Sequence, residues 1–383
     1  MRDASTCFNI KPFCVLAYSP WMIDEHDEDA QPMFEEPPGY LENQSAERSG
    51  AHPYAALGPD TVLDALASVK LYGDGRLLSL NSYENRVYLV YLEDGGSVVV
   101  KFYRPMRWSE TQILEEHSFA AELLAQEIPV IAPLALPGSC DGSVSTLAHF
   151  KDFAFAVYPR CGGRSPELDQ DEVLERIGRF LGRIHRVGSA KAFEHRPALD
   201  MQSFGFESRD FLVEHALVPK ELRAPWMEIT EQALQGAAQA FKETQDCARI
   251  RLHGDCHPGN ILWTESGEHP GPHFVDLDDA RSGPAMQDLW MLLSGDRRDM
   301  TRQLSSLLAG YEDFMEFDRR ELRLLEPLRT LRLIHYSAWI ARRWADPAFP
   351  AAFPWFNTQR YWQDRILELR EQVAAMQEEP LVV

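Results

Sequence analysis

From Pro59 to Pro159 the apolar residues of this chain mostly alternate or form short β-branched runs; beyond that point they recur every three or four positions. The first stretch opens with helical spacing over residues 61–69, with Asp60 as the expected N-cap. Residues 86–91 and 97–103 are rich in Val, Tyr and Leu and are joined by Glu93-Asp94-Gly95-Gly96, which predicts a β-hairpin. Residues 108–125 return to helical spacing through Ile113, Phe119 and Leu123. Residues 128–134 read as extended, a second hairpin is expected around Cys140-Asp141-Gly142, and residues 153–158 read as a strand.

After Pro159-Arg160-Cys161-Gly162-Gly163 the spacing predicts helices over residues 174–187, 227–241, 300–311, 321–344 and 358–376. One non-helical island interrupts them, residues 253–279, rich in Gly, Pro, His and Asp. The pattern predicts a two-lobed α+β fold, with a β-rich N-lobe over residues 53–158 and a mostly helical C-lobe over 159–383. Residues 1–52 carry no sustained period. They hold the run Asp24-Glu25-His26-Asp27-Glu28-Asp29 and the breaker Pro37-Pro38-Gly39, and are expected to form a disordered acidic extension.

Composition narrows the function. The 383 residues include 59 acidic against 38 basic side chains, a formal charge of −21. That balance disfavours nucleic-acid binding, which needs a concentrated Lys/Arg surface. Its 6 cysteines lie at wide, irregular intervals, the usage of a reduced cytoplasmic protein. No apolar run approaches the ~18 residues of a membrane span.

The island carries the chemistry. It reads His253-Gly254-Asp255-Cys256-His257-Pro258-Gly259-Asn260, followed by Phe274-Val275-Asp276-Leu277-Asp278-Asp279. An Asp with an Asn five positions later has the spacing of a phosphotransfer loop, in which the Asp accepts the acceptor proton and the Asn binds magnesium. Asp276, after a second β-run, supplies a harder oxygen ligand. Upstream, Lys101 ends a β-branched run, where a lysine can reach phosphates and pair with a glutamate of the following helix. Residues 81–86 form a polar turn whose amides, with the Ser82 hydroxyl, could cover phosphate oxygens.

The run His-Gly-Asp-x-His-x-Gly-Asn, with Val-Asp-Leu-Asp-Asp-Ala-Arg and Asp-Leu-Trp after it, resembles the aminoglycoside-phosphotransferase-like branch of the protein kinase superfamily. More narrowly, residues 81–86, 99–105 and 274–292 resemble the bacterial stress response kinase A family, over roughly residues 55–375. The resemblance implies a cytoplasmic serine/threonine protein kinase using ATP and one or two Mg²⁺ ions. It assigns Asp255 as proton acceptor, Asp276 as a catalytic magnesium ligand beside Asn260, Ser82 to the ATP loop and Lys101 to the phosphates. Glu116 is the expected partner of Lys101, with Glu115 as the alternative. The implied partners are ATP and a protein Ser/Thr substrate, with neither nucleic acid nor membrane. No G-x-G-x-x-G run is present, and the short spacing from Asp276 to Asp288-Leu289-Trp290 leaves no room for a long activation segment.

Blander readings compete. His253 is expected to orient the loop from a buried position, Asp288 to brace it, and Asp278 or Asp279 to pair with Arg281. Other functions consistent with the motifs are a small-molecule hydroxyl kinase, a His253-Asp255-His257 metallohydrolase and a silent nucleotide-binding protein.

Overall fold

The computed structural model describes residues 52–80, 82–137, 144–266 and 270–383. The expected acidic extension, apart from His52, and the turn at Cys140-Asp141-Gly142 lie outside them. Helix α1 (Pro59–Ser68) opens the N-lobe with Pro59 at its first position, where a missing N–H costs nothing. Its N-cap is Gly58 and not Asp60, which sits within the first turn and faces the helix dipole instead.

Strands β1 (Gly73–Ser79), β2 (Arg86–Leu92) and β3 (Ser97–Phe102) follow, then α2 (Glu110–Ala125). The expected hairpin joins β2 to β3, pairing Val87 with Lys101 and Tyr91 with Ser97. Gly95 supplies its positive φ of 87°. A capping box at Ser109 and Gln112 starts α2. Short strands β4 (Leu136–Pro137) and β5 (Val144–Ser145) pair on either side of the second expected hairpin. Strands β6 (Ala148–Phe150) and β7 (Phe153–Pro159) complete an antiparallel sheet of order β1-β2-β3-β7-β6. Residues 128–134 do not form a strand of that sheet. Pro129 and Pro133 lack the N–H a ladder needs, and only Val130 bridges, to Phe274 in the C-lobe.

The C-lobe begins with α3 (Asp171–Gly188). A π-helical turn over Gln202–Phe206 leads into α4 (Glu207–Glu214), and α5 (Lys220–Glu243) follows. The island is two small antiparallel pairs: β8 (Ile250–Leu252) with β11 (Arg281–Gly283), and β9 (Ile261–Thr264) with β10 (Gly271–Phe274). Then come α6 (Met286–Trp290), α7 (Arg297–Tyr311), α8 (Leu325–Ala341), α9 (Ala348–Ala352) and α10 (Gln359–Ala375). The helix expected over 321–344 divides: Arg319–Leu324 is a 3-10 turn, and Pro327 sits in the first turn of α8.

Two cores result. Val90, Val100, Phe102 and Phe155 of the sheet close on Val62 and Leu66 of α1. The larger core joins α3, α5, α7, α8 and α10 through Leu181, Leu234, Leu307, Leu331 and Trp362. Helices α3 and α7 touch backbone to backbone: a Cβ on Gly178 would lie 1.9 Å from the Leu307 carbonyl oxygen. Among the described residues no helix is long and apolar enough to cross a membrane.

Candidate active site

The loop between β8 and β9 is held from below by Asp288, as expected. Its Oδ2 accepts the His253 N–H at 2.8 Å and its Oδ1 the Gly254 N–H at 2.8 Å. His185 Nε2 donates to Oδ2 at 3.0 Å. The carboxylate has no solvent exposure; burial raises its pKa, but the His185 bond, the neighbouring His185 and His253 rings and the Gly254 N–H more than offset this and hold it below the ordinary value. Gly254 has φ 86°, and a Cβ there would meet the Asp279 carbonyl oxygen at 2.1 Å, so the His-Gly-Asp glycine is sterically required. His253 is buried, with Nε2 donating to the Val275 carbonyl at 2.9 Å. Its other ring nitrogen faces the Asp255 N–H at 3.4 Å. With both nitrogens turned to backbone, His253 cannot anchor the metallohydrolase arrangement. Among the described residues no group of three His, Cys, Asp or Glu side chains could hold a metal ion.

Asp255 stands at the loop's apex with Arg332 Nη1 at 2.7 Å from Oδ1. Asn260 Nδ2 donates to the Asp255 carbonyl at 2.9 Å, and the Asn260 carbonyl accepts the Val275 N–H at 3.0 Å. These bonds place Asn260 between Asp255 and Asp276. Asp276 takes a left-handed backbone, φ 60° and ψ 63°, a conformation that is strained for a non-glycine residue. Its side chain is half exposed and points to the cleft, where Lys101 Nζ reaches Oδ1 at 2.8 Å.

Lys101 alternates away from Val100 and Phe102 and is buried between the lobes. Burial depresses its pKa, but Asp276 and Asp278 more than offset this and hold the ammonium well above its ordinary value. Its second partner, Asp278, lies at 3.3 Å, is buried, and also takes Arg107 and the Asn85 amide. Burial would raise Asp278, yet Arg107 and Lys101 bring it down to about 2. Asp279 pairs with Arg281 at 2.6 Å, as expected, and with Arg107 at 2.9 Å.

The expected Lys101–Glu116 ion pair is not made, because the two aspartates take the ammonium. Helix α2 nevertheless turns Glu116 inward toward Lys101; burial pushes its carboxyl up to about 7, against the pull of Lys101. Glu115 is excluded from this role. It faces outward and accepts the backbone N–H groups of Glu194, His195 and Arg196.

Ser82 Oγ donates to the Asn85 carbonyl at 3.2 Å, so it shapes its own turn. The turn is tied to the C-lobe. Glu84 accepts Trp339 Nε1 at 2.6 Å and pairs with Arg343 at 2.6 Å, while Asp346 takes Arg86 at 2.9 Å and Arg104 at 2.6 Å. The structure thus brings Lys101, Glu116, Asp255, Asn260 and Asp276 to one cleft, with the Ser82 turn clamped over its rim. Sequence reasoning missed Asn85, Arg107, Arg332 and the Glu84–Asp346 clamp. Asn85 lay inside a motif already singled out; the arginines carried no local signal.

Comparison with known proteins agrees with this geometry. Residues 76–325 match the family model described as the phosphotransferase enzyme family. A stress response kinase A from Escherichia coli is 46% identical over 333 residues, covering 87% of this chain and 98% of that protein. The chain belongs to the stress response kinase A family. It is a phosphotransferase with a two-lobed kinase-like fold. A second member, named serine/threonine protein kinase RdoA, from Salmonella typhimurium, is 45% identical over 331 residues, covering 86% of this chain and 97% of that one. Among solved structures, the amicoumacin kinase hAmiN superposes with a TM-score of 0.63 at 18% identity, covering 84% of this chain and 94% of that one. A microcompartment-associated aminopropanol kinase superposes with a TM-score of 0.61 at 17% identity, covering 83% and 98%. At such identities the stress response kinase A family member shares their fold, which positions the cleft between a sheet lobe and a helical lobe.

Proposed function

We propose that this phosphotransferase moves the γ-phosphoryl group of ATP to a serine or threonine hydroxyl of a protein. The observation that carries the reading is the convergence of Lys101, Asp255, Asn260 and Asp276 on one cleft with kinase spacing. The protein acceptor is supported by the name of the Salmonella relative, and a cytoplasmic setting accords with the free thiols Cys161, Cys247 and Cys256. The segment between α3 and α5 packs on the C-lobe. Its Phe204 and Leu212 are spent on packing in the C-lobe core, Phe204 stacking on His335 of α8.

The residues fit a magnesium site. Asn260 commits its amide nitrogen to the Asp255 carbonyl, which leaves its side-chain oxygen as a donor, and the Asp276 carboxylate is half exposed beside it. Bound there, one or two Mg²⁺ ions would neutralise phosphate charge as it shifts during transfer. The chain's own groups do the rest. Lys101 holds a phosphate oxygen, the Ser82 turn covers the triphosphate, and Asp255 takes the acceptor proton as the new O–P bond forms.

Asp255→Asn should remain folded and lower transfer from radiolabelled ATP to a protein substrate by roughly 10²–10⁴-fold. EDTA should stop labelling and Mg²⁺, but not Zn²⁺ alone, should restore it. Stoichiometric ATP consumption with an aminoglycoside or other small hydroxyl compound, and no labelled protein, would replace the protein acceptor with a small one.

A further inference from the structure

Helix α8 runs from the C-lobe core to the nucleotide turn, and its cleft-facing residues do not all pack. Leu331, Ile334 and Ala338 are buried in the core, whereas Arg332 leaves the helix toward the catalytic loop. Its Nη1 lies 2.7 Å from Asp255 Oδ1, and the two side chains are only 21% and 18% exposed. The other cations near the cleft are committed elsewhere: Lys101 to Asp276 and Asp278, Arg107 to Asp278 and Asp279, Arg281 to Asp279. On the far side of the carboxylate, His257 Nε2 stands 3.7 Å from Oδ2, beyond hydrogen-bond reach. One oxygen of the base is therefore buried against a guanidinium in an ion pair without an aligned hydrogen bond, and the other has no hydrogen bond to His257.

We propose that Arg332 is a positioning residue for phosphoryl transfer: it fixes Asp255 through Oδ1 and so presents Oδ2 to the acceptor hydroxyl. The inference rests on Asp255 being the base. In the step, the acceptor O–H proton passes to Asp255 Oδ2 as the acceptor oxygen bonds to the γ-phosphorus. The bond from that phosphorus to the β–γ bridging oxygen breaks, and its electron pair leaves with ADP. Arg332 gains and loses no proton. Burial pulls its pKa down, but Asp255 and Asp279 more than compensate, so the guanidinium stays charged throughout. A lone carboxylate at the loop apex would rotate about its terminal torsion, and a misplacement near 1 Å can cost about 10²-fold in rate. The contact bridges α8 and the catalytic loop, so it sets the orientation of the base through the rigid C-lobe core.

The test is a double-mutant cycle on the full chain. Arg332→Met should lower kcat by roughly 10- to 100-fold with the KM for ATP within about twofold of wild type. Arg332→Lys, which keeps the charge without the planar fork, should fall between the two. In an Asp255→Asn background Arg332→Met should cause no further loss, because residues that act as a unit are non-additive. Wild-type kcat in folded Arg332→Met, or an equal loss in both backgrounds, overturns the proposal. Should the methionine variant fail to fold, Arg332→Lys carries the same cycle. Full turnover in Asp255→Asn would instead remove the base assignment itself, whereas an impaired Asp255→Asn beside an unaffected Arg332→Met removes only the role of Arg332.

Discussion

Glu321 shows how a single buried carboxyl sets a pH dependence in this fold. Its Oε2 accepts the Met286 N–H at 2.9 Å at the start of α6, and burial pushes the carboxyl up to about 7. A raised carboxyl binds its proton more tightly in the folded than in the unfolded state. The stability it confers is full below the ordinary carboxylate value of 4.5 and is lost as the pH rises through about 7. Glu321→Gln keeps an acceptor for Met286 but cannot ionise. Relative to wild type, the variant should gain stability between pH 5 and pH 8, on the order of 2 kcal/mol or less. Urea melts at the two pH values would measure it, and a parallel pH response in both proteins would exclude Glu321 as the source. Asp288, equally buried, behaves oppositely because His185 and two backbone N–H groups bond to its charged form.

At the scale of elements, the turn before β2 is held in an unusual way. A glycine-rich loop follows the phosphates because nothing else holds it; here Glu84 and Asp346 bolt the turn to the end of α8 and the residues after it. Asp346 is nearly inaccessible and serves two arginines, one of which, Arg86, also lies over the Tyr54 ring at 4.4 Å. Asp346→Asn leaves Arg86 without its carboxylate, while Arg104 keeps only Glu84 at 3.0 Å. We expect a loss of about 1–3 kcal/mol in stability and a several-fold rise in the KM for ATP with a smaller change in kcat. Steady-state kinetics decide it, and an unchanged KM for ATP would show that the clamp does not govern nucleotide binding.

Over the whole molecule, the N-lobe core closes with Tyr54 and Leu57, and the Tyr54 hydroxyl donates to the Glu84 carbonyl at 3.1 Å. Residues 1–51 carry acidic charge and no sustained apolar period. Removing them should leave ATP turnover within about twofold and shift Tm by less than about 5 °C, since a kilocalorie moves Tm by about 2–4 °C in a chain of 150–250 residues and by less in a longer one. If the Ser82 turn covers ATP as proposed, a cut extending through Tyr54 should instead raise the KM for ATP, because it strips a support from that turn. Calorimetry and kinetics on the two truncations separate these outcomes, and a large Tm loss on the shorter cut would place part of that segment on the kinase core.

The sequence alone determined the two-lobed order of elements and the β2–β3 hairpin, and it singled out Asp255, Asn260, Asp276 and Lys101, which the fold brings to one cleft. Those features rest on local period, turn chemistry and short spacings, which a single chain displays directly. It also singled out Asp288, ahead of Leu289-Trp290, as a brace for the loop. The sequence preferred Glu116 to Glu115, but only the tertiary structure showed Glu116 turned inward without an ion pair to Lys101 and Glu115 turned outward, because neighbouring helical positions point about 100° apart and the helix phase is set by packing. Only it showed Lys101 held by Asp276 and Asp278, the Glu84–Asp346 clamp, and Arg332 against Asp255. Each of these joins side chains far apart in the chain, and an isolated arginine in a helical stretch looks the same whether it meets solvent or a buried carboxylate.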